Sequence, residues 1–201
     1  MFFNNSFILA SSSSSRYKIL KKNNLKFLKI KPNCNEDYLK NKLVKMGLSA
    51  KTISLELARL KSKSISKKKP NKLVVGCDTI IYSEGLIVNK AKNTQDAKIK
   101  IKKLSGKKHK IYSSVSVFLD SYEVWKKTQT TTVEIRSLSE KEINKYISIC
   151  DKSILNSVGC YQIESLGPNI IKNIKGDFFN VMGFPLFPFL NFLKKHKKPN
   201  A

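Results

Sequence analysis

Apolar positions along the chain change period repeatedly, and the changes set out alternating strands and helices. Phe7, Ile8 and Leu9 mark a short strand within residues 6–10, and a serine run, Ser11 to Ser15, follows it. Tyr17, Ile19 and Leu20 then allow a helix that a serine would cap. Residues 25–30 read as a second strand stopped by Pro32. Two helices fit 38–46 and 51–66 on either side of Gly47, the second with Ile53, Leu57 and Leu60 on one face and Glu56 and Lys61 near the other. A hairpin turning at residues 82–85, a helix over 93–104 capped by Asn93 or Thr94, and two long strands, 110–119 and 122–136, joined at Asp120-Ser121 come next. Ser139 and Glu142 form a capping-box pair at the start of a helix over 139–149. From Asp151 the pattern is irregular until Val181, and an apolar helix around 184–193 ends the chain.

The stretch KLVVGCDTII, 72–81, stands out because a polar group, Gly76-Cys77-Asp78-Thr79, interrupts an apolar strand. A lone Asp is rarely buried unless paired. Asp78 is therefore a strand-end cap or a charge placed for a metal or a proton, and Gly76 lets backbone or ligand come close. The serine run has two readings as well. It is a flexible linker, which its composition favours, or an anion cradle of exposed N–H groups, hydroxyls and the Arg16 guanidinium.

The interleaved strands and helices, with two long strands side by side, give a mixed α/β (α+β-like) domain spanning 1–201. At 201 residues and 41% hydrophobic content the chain can bury one sizeable core or two lobes sharing a sheet. A net charge of +25 invites a nucleic-acid partner. The excess is spread along the chain and is nearly all Lys, with Arg only at 16, 59 and 136, so solvated lysine faces are the simpler reading. A basic nucleic-acid-binding protein without catalysis is the competing one. Cys34, Cys77, Cys150 and Cys160 show no CxxC spacing, which fits reduced thiols in a cytoplasmic protein and argues against zinc. The patch MFFNNSFILASSSSS lacks the basic start and apolar length of a leader peptide.

Taken in order, LASSSSSRYKIL, NEDYL, ELARLKS, VVGCDTII, IVNKAKN, LSGKKHKIYSSVSV, LSEKEINKYI, GCYQIESLG and IKGDFFNVMGFPL resemble the Maf family of nucleoside triphosphate pyrophosphatases over nearly the whole chain. The resemblance implies an elongated mixed sheet flanked by helices, with two lobes around a nucleotide cleft as in Maf and ITPase proteins. It also implies a housecleaning hydrolysis of the α–β phosphoanhydride to a nucleoside monophosphate and pyrophosphate, and a homodimer. By the same resemblance Asp78 is the proton acceptor and, with Glu36, a ligand of Mg²⁺ or Mn²⁺. Ser11, Ser13, Arg16, Lys61 and Lys90 hold phosphate. His109 matches the family's histidine, or only caps a strand. Ser15, Thr79 and Glu164 fall at specificity positions.

Two departures bear on the substrate. Ser15 stands where many members have arginine, and Glu164 where members acting on dTTP and UTP have glutamine. A glutamine amide both donates and accepts, whereas an ionised carboxylate only accepts. A buried Glu164 would favour a base edge of donors, and this resembles the branch acting on 7-methyl-GTP more than the dTTP/UTP branch.

Overall fold

A computed structural model describes residues 6–196; the first five residues of the leader-like patch and both ends of the expected 1–201 domain lie outside them. The architecture is the mixed α/β one expected. One seven-stranded sheet has the order β2-β1-β3-β5-β6-β7, with β4 paired to β3. The strands are β1 Phe7–Ala10, β2 Phe27–Ile30, β3 Leu73–Ser83, β4 Leu86–Val88, β5 Lys108–Leu119, β6 Tyr122–Ile135 and β7 Ile171–Lys175. β1 runs parallel to β2 and β3; the remaining pairings are antiparallel. The helices are α1 Ser14–Lys22, α2 Glu36–Lys45, α3 Ala50–Ser66, α4 Thr94–Leu104, α5 Glu140–Ile149, α6 Phe178–Val181 and α7 Leu186–Lys195. Among the described residues no helix is long and apolar enough to cross a membrane.

Local chemistry accounts for most element ends. Asn93 caps α4 through the N–H of Asp96, and Ser139 and Glu142 close a capping box on α5. Both tight hairpins place their two turn residues at positive φ, Glu84 and Gly85 in one, Asp120 and Ser121 in the other, as the right-handed twist of paired strands demands. The region 151–181 is more ordered than its pattern suggests. It holds β7, α6 and two short 3-10 turns. β7 is an edge strand of sequence IKNIK whose middle positions face solvent, so it lacks the apolar run that marks an interior strand.

β3 organises the core because its alternate residues serve different layers. Leu73, Val75 and Cys77 pack with Leu9, Leu20 of α1 and Phe184 and Phe189 beside and on α7. Further along, Ile81 joins a second core with Ala97 and Ile101 of α4 and Ile143 and Ile147 of α5. On the opposite face Ile80 meets Ile53 and Leu57 of α3. The middle of β3 thus lies between the two main apolar clusters. α3 is further tied to β6 by Arg59, whose Nε and Nη2 each donate at 2.9 Å to the carboxylate of Glu123.

Gly76 sits under α3 and allows this contact. A Cβ there would lie 2.2 Å from the Ala58 carbonyl oxygen and 2.7 Å from the Ser62 nitrogen, backbone atoms that cannot rotate away. The close approach that Gly76 permits is therefore of backbone rather than ligand. Gly76→Ala should cost about 3 kcal/mol, the upper end of overpacking penalties, read as a lowered denaturant midpoint with unchanged slope.

Candidate active site

Asp78 and Lys61 meet where β3 passes beneath α3. Asp78 is mid-strand and 9% exposed, so it is not a strand-end cap. Its Oδ1 accepts from Lys61 Nζ at 2.6 Å, and the same ammonium lies 2.8 Å from Glu36 Oε2. Lys61 is 6% exposed. Ile53, Leu57 and Lys61 follow at four-residue intervals, so the lysine continues the buried stripe of α3. The expectation that Lys61 lies near the opposite, polar face is corrected. Burial works against its charge and Arg16 repels it, but Asp78 and Glu36 outweigh both and raise its pKa above the usual lysine value.

The serine run is not a linker. Ser13 caps α1 by accepting from the Arg16 N–H, and Ser14 and Ser15 already belong to the helix. Ser11 is buried, and its Oγ accepts from the Ser13 N–H at 3.2 Å and from Arg16 Nη1 at 3.3 Å. The strand-loop-helix leaves first-turn N–H groups of α1 without intrahelical partners.

Arg16 does more than a phosphate ligand would. Its Nε donates to the Gly183 carbonyl at 2.9 Å, Nη1 to the Cys77 carbonyl at 2.7 Å, and Nη2 to Thr79 Oγ1 at 3.0 Å. Counting Ser11, at least four of its five N–H groups are engaged within the chain. Gly183, absent from the sequence reading, is a hub: its carbonyl also accepts from the Cys77 thiol and from Thr79. It holds φ +95°, and an added Cβ would lie 3.0 Å from Thr79 Oγ1. A backbone acceptor leaves no mark in a sequence. Thr79 also shares a hydrogen bond with Ser113 at 3.0 Å, so its hydroxyl is occupied in fixing Arg16.

Lys90 is exposed overall, yet partial desolvation of its ammonium, followed by the Arg16 and Lys61 charges, lowers its pKa. Ser15 Oγ donates to Glu164 Oε1 at 3.2 Å, which brings the two departing specificity positions together. Glu164 is exposed, not buried as the donor-acceptor reading assumed. The Cys77 thiol is pushed up to about 11 by burial, which makes it a poor nucleophile at neutral pH.

His109 is not brought to this cluster. Ser114 pairs with Asp78, and His109 lies five residues back along β5, about 17 Å away at strand spacing. Its ring is 2% exposed and its Nε2 shares a 2.6 Å hydrogen bond with Tyr161 Oη in the second core.

The family model described as Maf, Maf-like protein, matches residues 6–196. The 7-methyl-GTP pyrophosphatase of Bartonella henselae is 38% identical over 185 residues, covering 91% of each chain. The nucleoside triphosphate pyrophosphatase of Caulobacter vibrioides is 34% identical over 188 residues, covering 94% of each. The solved structure of the Staphylococcus aureus Ham1 protein is similar at TM-score 0.48 and 16% identity, covering 96% of this chain and 100% of that one.

Burial lowers the His109 pKa from 6.5 to about 4. Below 6.5 the unfolded chain takes up a proton that the folded chain refuses until about 4, so stability should fall across that window as pH drops. Its share is at most ~3 kcal/mol. His109→Gln should reduce the difference in unfolding free energy between pH 7 and pH 4.5, while leaving nucleotide turnover at pH 7 within about threefold of wild type.

Proposed function

The chain belongs to the Maf family, and from that premise we propose that it is a nucleoside triphosphate pyrophosphatase, a hydrolase that cleaves the α–β phosphoanhydride and releases pyrophosphate. The observation that carries the reading is the Lys61 ammonium held between Asp78 and Glu36, with Arg16 and Lys90 close by. A phosphoanhydride needs positive charge around its oxygens and a carboxylate to take a proton from water. This cluster offers both.

In the proposed reaction Asp78 accepts the proton of the attacking water as its oxygen bonds to phosphorus. The bond from that phosphorus to the bridging oxygen breaks, and pyrophosphate leaves with the electron pair. Lys61 and Lys90 neutralise the leaving charge. Ser11, Ser13 and the first turn of α1 hold a neighbouring phosphate. Arg16 contributes field and at most one free donor, and Thr79 acts through Arg16.

The donors present suit a divalent cation. The oxygens of Glu36 and Asp78 converge on one positive charge. Among the described residues no group of three or more His, Cys, Asp or Glu could hold a metal, so phosphate oxygens and water would complete the shell of Mg²⁺ or Mn²⁺. Bound there, the ion would neutralise phosphate oxygens and lower the barrier to attack. A cytoplasmic setting is consistent with four unpaired cysteines.

Asp78→Asn keeps the shape and an acceptor for Lys61 but loses the base. Pyrophosphate release from a nucleotide panel should fall at least about 10²-fold, with the folded spectrum retained, and chelator should silence the wild type. Activity of Asp78→Asn within about threefold of wild type would remove Asp78 from the mechanism.

The Ser15–Glu164 pair is the proposed base-reading edge. A carboxylate opposite a pyrimidine carbonyl sets two acceptors against each other, whereas guanine and its 7-methyl form offer donors. Because Glu164 is exposed, the discrimination belongs at the low end, about tenfold. 7-Methyl-GTP should exceed dTTP and UTP in kcat/KM by that order. Glu164→Gln, alone or with Ser15→Arg, should shift the ranking toward dTTP and UTP; an unchanged ranking would move specificity elsewhere.

A further inference from the structure

α2 turns one stripe toward α3 and β3. Leu43 is buried, Leu39 packs against the Ile53, Leu57 and Ile80 cluster, and Glu36 reaches Lys61. Lys40 lies one turn beyond Glu36, on the same face. It is half-buried, whereas Lys42 and Lys45 of the same helix are exposed. Its Nζ donates to Asn89 Oδ1 at 2.6 Å, and Asn89 immediately precedes Lys90.

That hydrogen bond closes a span from α2 to the segment after β4. The partner is a neutral amide at the surface, which stabilises little by itself and does not require a cation. Lys40 nonetheless shares the field of the site. Asp78, Asp37 and Glu36 attract it, Lys61 repels it, and burial, the largest influence, lowers its pKa from the usual lysine value. Arg16, Lys40, Lys61 and Lys90 therefore share one electrostatic neighbourhood with the carboxylates of Glu36, Asp37 and Asp78. The cations exceed the carboxylates, and that surplus suits a polyanion.

We propose that Lys40 is a further polyphosphate-binding residue, parked on Asn89 in the free chain and turned onto the outer phosphates when a nucleotide enters. The inference rests on the nucleotide reading of the Asp78 site. Lys61 is locked by two carboxylates, whereas a lysine held by an amide is free to turn onto the outer phosphates of an entering nucleotide. Its flexible stem and compact charge suit that movement better than a fixed guanidinium fork.

The test is calorimetric binding of inorganic pyrophosphate, with and without Mg²⁺, to wild type, Lys40→Met, Lys40→Arg and Asn89→Ala, alongside steady-state kinetics and melting curves. Lys40→Met should weaken pyrophosphate binding and raise KM about tenfold, as loss of one charge-assisted hydrogen bond predicts, with kcat within about threefold. Lys40→Arg should recover most of the affinity. Asn89→Ala should bind pyrophosphate as well as wild type or better, since the ammonium no longer has a competing partner. Wild-type affinity in Lys40→Met would overturn the proposal. So would an equal loss in Asn89→Ala, which would make the residue part of a structural clasp. If Lys40 governs pyrophosphate binding but no nucleotide is turned over, the hydrolase reading fails and this one stands; normal turnover with Lys40-independent binding gives the reverse.

Discussion

The Lys61 ammonium, held between Asp78 and Glu36, is the interaction on which the site depends. Neither Asp78 nor Lys61 could be buried alone, because the cost of desolvating one charge is several kcal/mol. Together they join three elements. Asp78 comes from β3, Lys61 from α3 and Glu36 from the first turn of α2. Removing Lys61 would leave Asp78 a buried charge without its ammonium, whereas removing Asp78 would leave Lys61 with Glu36 alone. The pair is thus expensive as structure, which fits its being kept for chemistry rather than for stability.

The alternation of β3 explains why so many groups converge there. Gly76, Asp78 and Ile80 face α3, while Cys77 and Thr79 face the Arg16 and Gly183 side. One strand therefore carries the carboxylate on one face and the framework that positions α1 on the other. Small hydroxyl residues on the neighbouring strand permit this. Ser114 meets Ser54 of α3 at 2.6 Å, and Ser113 meets Thr79 and the Asn180 carbonyl. Larger side chains would hold α3 and α6 away from the sheet.

Most of the fold was legible because it rests on local signals: periodicity, Asn93, the Ser139–Glu142 box and the two hairpin turns. What was not legible depends on tertiary context. A lysine four residues after Leu57 reads as solvated until its two carboxylates are known. β7 is polar because it lies at an edge, and its pairing with β6 supplies what its composition does not. The position of Asp78 within its strand was visible, but not the Gly183 carbonyl that orders the other face. His109 was drawn toward the site by its motif, whereas register puts it against Tyr161 of the second core. Lys40 was one lysine among many, and only the inward turn of α2 distinguishes it.

The scarcity of arginine gains a meaning from the placement of the few present. Arg16 and Arg59 both serve as fixed forks, one on backbone carbonyls and hydroxyls, the other on Glu123. A planar guanidinium holds several acceptors at set angles, so it is suited to building a frame. Lysine supplies charge without fixing direction, and Lys40 and Lys90 beside the Asp78 cluster come from that pool. A nucleic-acid surface would call for the opposite division, with arginine forks turned outward to phosphates and base edges. Here the forks with assigned partners are spent on acceptors of the chain itself. A large positive charge carried on solvated lysine is a diffuse field without direction, whereas the pair buried at β3 fixes one carboxylate against one ammonium at 2.6 Å.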